Sequence, residues 1–449
     1  MSDLGSHLLS WLPHQRWFGG KGRPISAVET HGGTPIVGAD DLTLSLVIAR
    51  VHYASGAAED YQVVISERPH RWEDIEHSLI GEIDGVFYYD APHDPHAMTA
   101  LLQALRDEAR TGDISFHRIG DIGTDLRARL VGAEQSNTSI VFGEELILKV
   151  FRRIAIGLNP DLELTRALQE AGSVHVTPVH GWIEQGSGDD VTTLAVLQRF
   201  APSATEGWAL ALASVRDLYA EADLHAAEVG GDFAAEAGRL GAATAEVHQL
   251  LAQALPTTVA SADQIDAMAA SMDGRLTRAA ADVPELAPYA AGIRAAYAAC
   301  VSALHAKPPV LQRIHGDFHL GQTLRTDAGW LLLDFEGEPA RPLAERKAPG
   351  SPLRDVAGML RSFDYAARST LADHMPSPGL EYRATEWAER NGDAFCDGYG
   401  SVADGDPRAD MPLLRAFELD KAVYEVVYEA RNRPSWLNIP LSSIARLAA

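Results

Sequence analysis

Three side chains that end in oxygen or amide groups lie close together in one stretch of the sequence. Asp317 and Gln322 are five positions apart in the pattern H-G-D-x-x-x-x-Q, and Asp334 follows the apolar residues 330–333. Phosphoryl transfer needs a carboxylate near the attacking hydroxyl, and it needs side-chain oxygens on the magnesium ion that bridges the nucleotide phosphates. The spacing therefore predicts that Asp317 orients or deprotonates an acceptor hydroxyl, while Gln322 and Asp334 hold magnesium.

The segments on either side explain how these side chains come together. Residues 310–314 lead into the first pattern, and residues 330–333 are predicted to form a strand that leads into the second. Two strands around one loop bring Asp317 close to Asp334. His315 is the second catalytic candidate, and we expect it to support the loop through hydrogen bonds. A chance turn explains the H-G-D tripeptide alone, but not both patterns in this order.

The same two patterns occur in protein kinases as H-R-D-x-x-x-x-N and D-F-G. The sequence resembles the aminoglycoside-phosphotransferase-like branch of the protein-kinase fold. It is more closely similar to actinobacterial maltokinases, through D-F-E-G-E-P at 334–339, S-P-L-R-D-V-A-G-M-L at 351–360 and R-N-R-P-S-W-L at 431–437. This resemblance implies an α+β fold that is bilobal and protein-kinase-like, with an N-terminal sheet-and-helix cap subdomain. It also implies transfer of the ATP γ-phosphate to the anomeric hydroxyl of maltose, which feeds α-glucan synthesis, with trehalose synthase as a partner.

The predicted organisation has three parts, which are a cap subdomain at 1–90, a nucleotide-binding N-lobe at 91–200, and a mainly helical C-lobe at 201–449 that carries the catalytic and acceptor sites. Alternation of apolar and polar residues at 42–53 and 60–66 predicts half-buried antiparallel strands in the cap. The Gly-rich turn at 17–22 lacks a strand-then-helix context, so we interpret it as structural rather than phosphate-binding. The Ala-rich residues 206–305 predict the helical scaffold of the C-lobe.

Several residues between 132 and 200 are predicted to bind ATP. They are Ser136, Asn137, Thr138, Lys149, Glu163, Gln198 and Phe200. The turn at 132–138 lacks G-x-G-x-x-G but offers hydroxyl, amide and backbone donors. Lys149 lies in an apolar strand, as does the kinase lysine that binds the α- and β-phosphates. Glu163, in the first turn of a helix capped by Asn159, is predicted to pair with Lys149. Residues 198–200 occupy the place of the kinase hinge that faces adenine.

The helix predicted at 417–429 separates two kinds of side chain. At about 100° per residue, one face holds Leu419, Val423, Val426, Val427 and Ala430, and the opposite face holds Lys421, Tyr424, Glu425 and Tyr428. Aromatic rings beside charged groups suit a sugar site, and Trp436 follows closely, so we interpret this polar face as substrate-binding. A solvated face is the alternative. Asp364 and Tyr365 are further substrate-binding candidates, whereas Asp355 resembles the acid that kinases bury to hold backbone N–H groups of the catalytic loop.

Alternative functions stay open on this evidence. One is a kinase of the same fold that acts on glucosamine or an aminoglycoside. A cationic amino sugar needs a cage of carboxylates, and Lys421 would repel it. The other is a non-catalytic, nucleotide-binding partner of trehalose synthase. The presence of Asp317, Asp334 and Lys149 argues against that second alternative.

Composition narrows the remaining classes of function. The 449 residues carry 38 basic and 62 acidic side chains, a net charge of −24, which argues against a nucleic-acid surface. No apolar run approaches the roughly 20 residues of a membrane span, and residues 1–15 lack the pattern of a signal peptide. Cys300 and Cys396 are predicted to be reduced thiols. We therefore expect a cytoplasmic enzyme without nucleic-acid or membrane partners.

Overall fold

The computed structural model describes residues 2–39, 41–132, 136–221, 224–339, 341–373 and 378–448. Residues 133–135, in the turn predicted to cradle the phosphates, lie outside this part of the chain. The chain divides into two units, the first formed by Met1–Arg166 with Thr177–Pro202 and the second by Ala167–Val176 with Ser203–Ala449. The predicted boundary at residue 90 lies inside the first unit, and the three-part division stays a prediction.

The first unit is built mainly from two antiparallel sheets. Its helices are α1 (Ser2–Trp11), α2 (Pro95–Arg106) and most of α3 (Pro160–Glu170). Its strands are β1 (Ile25–Ala39), β2 (Leu42–Tyr53), β3 (Ala58–Arg68), β4 (Leu79–Ile83), β5 (Val86–Asp90), β6 (Arg110–Thr111), β7 (Ile114–Arg118), β8 (Ala128–Leu130), β9 (Thr138–Phe142), β10 (Leu146–Val150), β11 (Arg153–Ile154), β12 (Val179–Gln185) and β13 (Thr192–Arg199). The cap sheet has the order β1-β2-β3-β5-β4, with β11 paired to β3, and the second sheet has the order β6-β7-β12-β13-β10-β9-β8.

Strands β2 and β3 of the cap are buried on both faces, not half-buried as their alternation predicts. Leu44 and Leu46 of β2 pack into one apolar core with α2 and the second sheet. Val47 and Val51 of the same strand pack into a different core with α1. Because successive side chains of a strand point to opposite faces, a sheet covered on both sides needs apolar residues at both parities. The polar residues that alternate with these apolar ones are therefore partly enclosed by a second packed layer and do not form a solvated face.

The Gly-rich turn at 17–22 packs into the cap core. Trp17 and Phe18 are buried there, together with Leu8 of α1 and Tyr61 of β3. A Cβ atom added to Gly20 would lie 2.2 Å from the Tyr53 hydroxyl, so the close packing excludes a side chain at this position. The turn is therefore structural, as its sequence context indicates.

Arg152 joins the cap sheet to the second sheet. The side chain is fully buried. Its guanidinium donates to both oxygens of Asp90, at 2.8 and 3.0 Å, and its Nε donates to the Thr138 hydroxyl at 2.7 Å. The guanidinium also lies 4.5 Å from the Trp17 ring centroid. A cap carboxylate and a cap ring thus fix the arginine that holds the start of β9.

The second unit is mainly helical. Its helices are α4 (Gly207–Ala220), α5 (Ala234–Ala254), α6 (Ala262–Asp282), α7 (Ala290–Ala306), α8 (Leu343–Lys347), α9 (Leu353–Ser369), α10 (Pro378–Val402), α11 (Met411–Asn432) and α12 (Asn438–Leu447). Its strands are β14 (Thr205–Glu206), β15 (Thr258–Val259), β16 (Val310–Leu311), β17 (Thr323–Thr326) and β18 (Gly329–Leu332), which form the small sheets β14-β17-β18 and β15-β16. The strand predicted at 330–333 is β18, and the helix predicted at 417–429 lies within α11.

Two further expectations concern the whole chain. Cys300 and Cys396 are buried free thiols, as expected for a protein without disulfides. Within the described ranges, no helix is both long enough and apolar enough to cross a membrane.

Replacing Arg152 by Met tests how much the buried link between the sheets stabilises the first unit. The change leaves the buried Asp90 carboxylate without its cation, so we expect a loss of about 3–5 kcal/mol in the free energy of unfolding. Urea unfolding of the full chain measures it. Arg153→Gln is the matched control, because Arg153 pairs with Glu59 at a half-exposed position and should lose less than about 1 kcal/mol. Equal small losses in both variants would contradict this account.

Candidate active site

The loop between β16 and β17 is held by one buried carboxylate of α9. Asp355 accepts the backbone N–H groups of His315 and Gly316, each at 2.8 Å. The helix approaches the loop closely, because a Cβ atom on Gly358 would lie 2.5 Å from the Phe318 carbonyl oxygen. Burial raises the pKa of Asp355, but the hydrogen bonds from His248 and the Gly316 N–H, together with the electrostatic effect of the two neighbouring histidines, hold it below the ordinary value. The structural role predicted for Asp355 is confirmed.

His248 and Tyr399 extend this contact into the helical scaffold. His248 Nε2 lies 3.0 Å from Asp355 Oδ2, and its Nδ1 lies 3.0 Å from the Tyr399 hydroxyl. An Nε2–H that donates to the carboxylate leaves Nδ1 to accept from the tyrosine. The sequence pattern indicates neither residue, because each is a single polar side chain on a helix whose other buried positions are ordinary packing.

His315 supports the loop rather than facing the acceptor. Its side chain is buried, and Nε2 lies 2.8 Å from the Leu333 carbonyl oxygen at the end of β18. The ring packs against Phe318 and Phe335, with centroids 5.2 and 4.8 Å away. His315 therefore ties the loop of Asp317 to the segment of Asp334, which is the role expected from its hydrogen bonds. Its Nδ1 accepts the backbone N–H of Asp317 at 3.4 Å, so His315 acts as a positioning residue.

Gln322 and Asp334 lie side by side, as their spacing predicts. Gln322 Nε2 donates to Asp334 Oδ2 at 3.1 Å, and the backbone carbonyl oxygen of Gln322 accepts the backbone N–H of Leu333 at 2.9 Å. Asp334 has a φ of +63°, a conformation that costs a non-glycine residue about 1–3 kcal/mol and that occurs at functional sites. A carboxylate and an amide oxygen are donors that suit magnesium, so this pair fits the predicted ion.

Lys149 pairs with Asp161, and its predicted pairing with Glu163 stays a prediction. The charged atoms of Lys149 and Asp161 are 2.9 Å apart, and both side chains are largely buried. Asn159 caps α3 as predicted, because its side chain accepts the Asp161 N–H at 2.8 Å. Residues two apart on a helix point about 200° away from each other. The capping position was therefore found correctly, and the carboxylate that faces β10 is the one at the second helical residue.

The other residues predicted to bind the nucleotide differ in their burial and in the contacts that their polar groups make. The Thr138 hydroxyl is buried and accepts from Arg152, which leaves its O–H as a donor, so its predicted phosphate contact stays a prediction. The Phe200 N–H donates to the Glu145 carbonyl oxygen at 2.7 Å, so only the carbonyl oxygen of Phe200 is left for the predicted contact with adenine. Asn137 is also buried, whereas Ser136 is exposed. Gln198 lies in β13 opposite Ile147 of β10.

Lys421 of α11 contacts the predicted catalytic carboxylate. Its Nζ lies 2.8 Å from Asp317 Oδ1 and 3.4 Å from Glu338 Oε1. Burial raises the pKa of Asp317, but the charges of Lys421 and His319 and the hydrogen bond from Lys421 bring it to about 2. Burial lowers the pKa of Lys421, and the charges of Asp317 and Glu338 reverse this and raise it above its ordinary value. Both groups are therefore ionised at neutral pH.

A cavity of about 340 Å³ opens beside this ion pair. Its wall includes Gly316, Asp317, Glu338, Arg341, Arg354, Lys421 and Tyr424. The predicted phase of α11 is confirmed, because Leu419, Val423 and Val426 are buried on the opposite side. Of the predicted sugar-binding residues, Lys421 and Tyr424 reach this wall.

Glu425, Asp364 and Tyr365 are used inside the protein instead, so their predicted substrate-binding roles are wrong. Glu425 accepts from the buried Arg361 at 2.7 and 3.1 Å. The Tyr365 hydroxyl donates to Glu429 at 3.2 Å. Asp364 is buried against Arg361, Arg368, Arg446 and Ser443. Burial raises the pKa of Asp364, and these three arginines lower it to about 2.

Tyr428 and Trp436 lie outside the wall of the cavity. The Tyr424 and Tyr428 rings stack at 6.3 Å, and the Arg433 guanidinium lies 5.4 Å from the Tyr428 ring and 4.3 Å from the Trp436 ring. The pair continues the aromatic surface that begins with Tyr424. Its role in binding a substrate stays a prediction.

Comparison with known protein families agrees with this site. Residues 127–404 match the phosphotransferase enzyme family, and residues 11–94 match the maltokinase N-terminal cap domain. The chain therefore belongs to the phosphotransferase enzyme family, as a kinase that carries this type of cap.

Named relatives and solved structures agree with that assignment. A glucosamine kinase from Streptacidiphilus jiangxiensis is 31% identical over 365 residues, covering 77% of this chain and 80% of the relative. A glucosamine kinase from Mycolicibacterium smegmatis is 27% identical over 389 residues, covering 82% and 92%. The solved complex of a glucosamine kinase with glucosamine, ADP and inorganic phosphate has a TM-score of 0.71 at 23% identity, covering 99% of this chain and 98% of the other. The predicted fold is confirmed.

Replacing Lys421 by Met removes the cation that holds down the pKa of Asp317. Burial is then opposed by the weaker effects of His319 and His315, so the pKa rises and the carboxylate protonates at higher pH. We expect the acidic limb of the kcat/KM profile to move up by roughly one pH unit or more. The stability that ionised Asp317 contributes is present above its unfolded pKa and is lost as pH falls towards about 2. Tyr424→Phe is the control, and an unmoved acidic limb in Lys421→Met would refute the coupling.

Proposed function

We propose that the chain is an ATP- and magnesium-dependent sugar kinase that phosphorylates the anomeric hydroxyl of maltose. The proposal rests on the contact between Lys421 and Asp317, in which a cation of α11 lies beside the proposed catalytic carboxylate. The maltokinase-type cap at residues 11–94 supports the same reading. So do the sequence segments at 334–339, 351–360 and 431–437, which resemble maltokinases.

In the proposed reaction Asp317 orients the acceptor hydroxyl and receives its proton as the phosphoryl group leaves ATP. A carboxylate with a pKa of about 2 is a weak base. Orientation is sufficient, because phosphoryl transfer has a loose transition state that depends on positioning and electrostatics. Lys149, fixed by Asp161, would contact the phosphates. Asp334 and Gln322 would hold magnesium, which when bound neutralises the charge of the phosphates.

The charges around the cavity favour a neutral sugar over a cationic one. Asp317 and Glu338 already contact Lys421, and Glu338 also pairs with Arg341. Asp420 pairs with Arg275 at 2.7 Å. An ammonium group would have to displace one of these cations, which leaves a buried charge unpaired and is costly. Hydroxyl groups can hydrogen-bond to the same ion pairs without displacing them.

Glucosamine kinase is the second candidate, because the relatives that cover most of the chain carry that name. The two functions differ in what the acceptor brings to the cavity, an ammonium group or a second neutral ring. The proposal further places the product, maltose 1-phosphate, in α-glucan synthesis, with trehalose synthase as the partner. The sequence resemblance supports this last step.

Acceptor-dependent ADP release separates these candidates. We expect maltose to be the best substrate in a panel with glucose, glucosamine and kanamycin, with the product identified by NMR as the 1-phosphate. Asp317→Asn should lower kcat by about 10²-fold or more, the scale of a lost acid–base group, with little change in the KM for ATP. A preference for glucosamine would replace the proposal by the second candidate, and no release with any acceptor would favour a non-catalytic nucleotide-binding protein.

The two proposed metal ligands should respond differently to magnesium. Asp334→Ala removes the charged ligand, so we expect no activity at any practical magnesium concentration. Gln322→Ala removes a neutral ligand, and extra magnesium or manganese should restore part of the activity. The measurement is ADP release against metal concentration in each variant. Equal losses that no metal concentration rescues would show that Gln322 has another role.

A further inference from the structure

A second cavity of about 420 Å³ shares a wall with the proposed acceptor cavity. The shared residues include Gly316, Glu338, Arg341, Arg354 and Phe417. The remaining wall is largely apolar and comes from α6, α7, α11 and the segment before the catalytic loop, with Ile265, Met268, Leu304, Leu311, Ile314 and Leu413. Phosphoryl transfer to a sugar makes no use of this apolar region.

Arg354 is a charged side chain of the shared wall that has no ion-pair partner among the described residues. Its guanidinium lies 5.2 Å from the Phe417 ring centroid. The neighbouring carboxylates Glu338 and Asp420 are paired with other cations. Among the described residues, no carboxylate lies within ion-pair distance of Arg354, and Glu345 of the same wall is exposed to solvent.

The surroundings of Arg354 make this surplus charge costly. Burial lowers the pKa of Arg354 below its ordinary value, and the more distant Asp420 only partly opposes this. Arg354 is only partly exposed to solvent, and its guanidinium is stabilised when an anion supplies the missing charge and hydrogen-bond acceptors. The apolar wall beside it suits a hydrocarbon or aromatic body. One ligand that meets both requirements carries an anionic group at one end and an apolar body at the other.

We propose that the larger cavity binds a small amphipathic carboxylate, whose anionic end pairs with Arg354 and whose apolar body packs against Met268, Leu304 and Leu413. Such a ligand would lie next to Glu338 and Arg341, which also line the acceptor cavity, so its binding would raise the KM for the acceptor. The proposed site lies beside the acceptor cavity and shares part of its wall. The proposal does not depend on whether the acceptor is maltose.

Calorimetric titration of the full chain with octanoate tests the proposal. We expect saturable binding of one octanoate per chain, no binding of acetate at the same concentrations, and no binding of octylamine. Arg354→Gln should weaken octanoate binding by about tenfold or more, the scale of a lost charge-assisted contact. Arg294→Gln is the matched control, because Arg294 is a half-exposed arginine of α7 that pairs with Asp273, and it should bind octanoate like the wild type.

A second variant tests the apolar half of the site. Met268→Trp fills the cavity from α6 and should abolish octanoate binding while Arg354 is retained. Circular dichroism confirms folding, and if one variant fails to fold the other decides. Three results would overturn the proposal, namely no saturable binding to the wild type, equal binding to Arg354→Gln, or equal binding of acetate and octanoate.

Discussion

The catalytic half of the protein depends on one buried carboxylate, Asp355. Two backbone N–H groups of the loop and the ring of His248 all point at it. Burying a carboxylate costs several kcal/mol unless its oxygens are fully hydrogen-bonded. The donors come from two elements that are far apart in sequence, the loop and α5. Because two of the three donors are backbone groups of the loop, satisfying the carboxylate also fixes the shape of the loop.

The shaped loop presents Asp317 in an unusual electrostatic setting. Lys421 helps to lower the pKa of Asp317 to about 2, so this carboxylate is a weak base. For a reaction with little proton transfer before its transition state, that loss of basicity is small. The gain is a carboxylate whose direction is fixed by a buried cation on a rigid helix. The site is thus better suited to holding a hydroxyl in line than to removing its proton early.

Sequence spacing predicts those parts of the site that one short segment determines. Asp317, Gln322 and Asp334 are near in sequence, and the strands beside them fix their approach. The cap of α3 was predictable for the same reason, because Asn159 and the helix start are adjacent. The phase of α11 follows from its own periodicity. In each case the residues that interact are close in sequence, so spacing, capping and helix periodicity are enough to predict the arrangement.

The errors fall where the partner comes from elsewhere in the chain. Glu425 has the right phase for a substrate contact, but Arg361, 64 residues away, takes it. His248 lies 107 residues from Asp355, and neither position marks the other. Lys149 contacts Asp161 of α3, and the packing of α3 against β10 that brings them together is not visible in the sequence of the helix turn. The positions of polar side chains around a helix show which of them share a face. Identifying the residues that they contact needs the tertiary structure.

Counting partners also separates structural from ligand-binding charges among the arginines of the second unit. Around Asp364, the buried Arg361 and Arg368 and the partly exposed Arg446 share one enclosed acid, so their charge is compensated within the protein. Around the acceptor cavity, Arg275 and Arg341 each have a carboxylate, and Arg354 has none among the described residues. A compensated group stabilises packing between helices. An arginine without a carboxylate partner beside an apolar cavity gains a charge partner when an anionic ligand binds, and for this reason we propose that Arg354 serves binding rather than architecture.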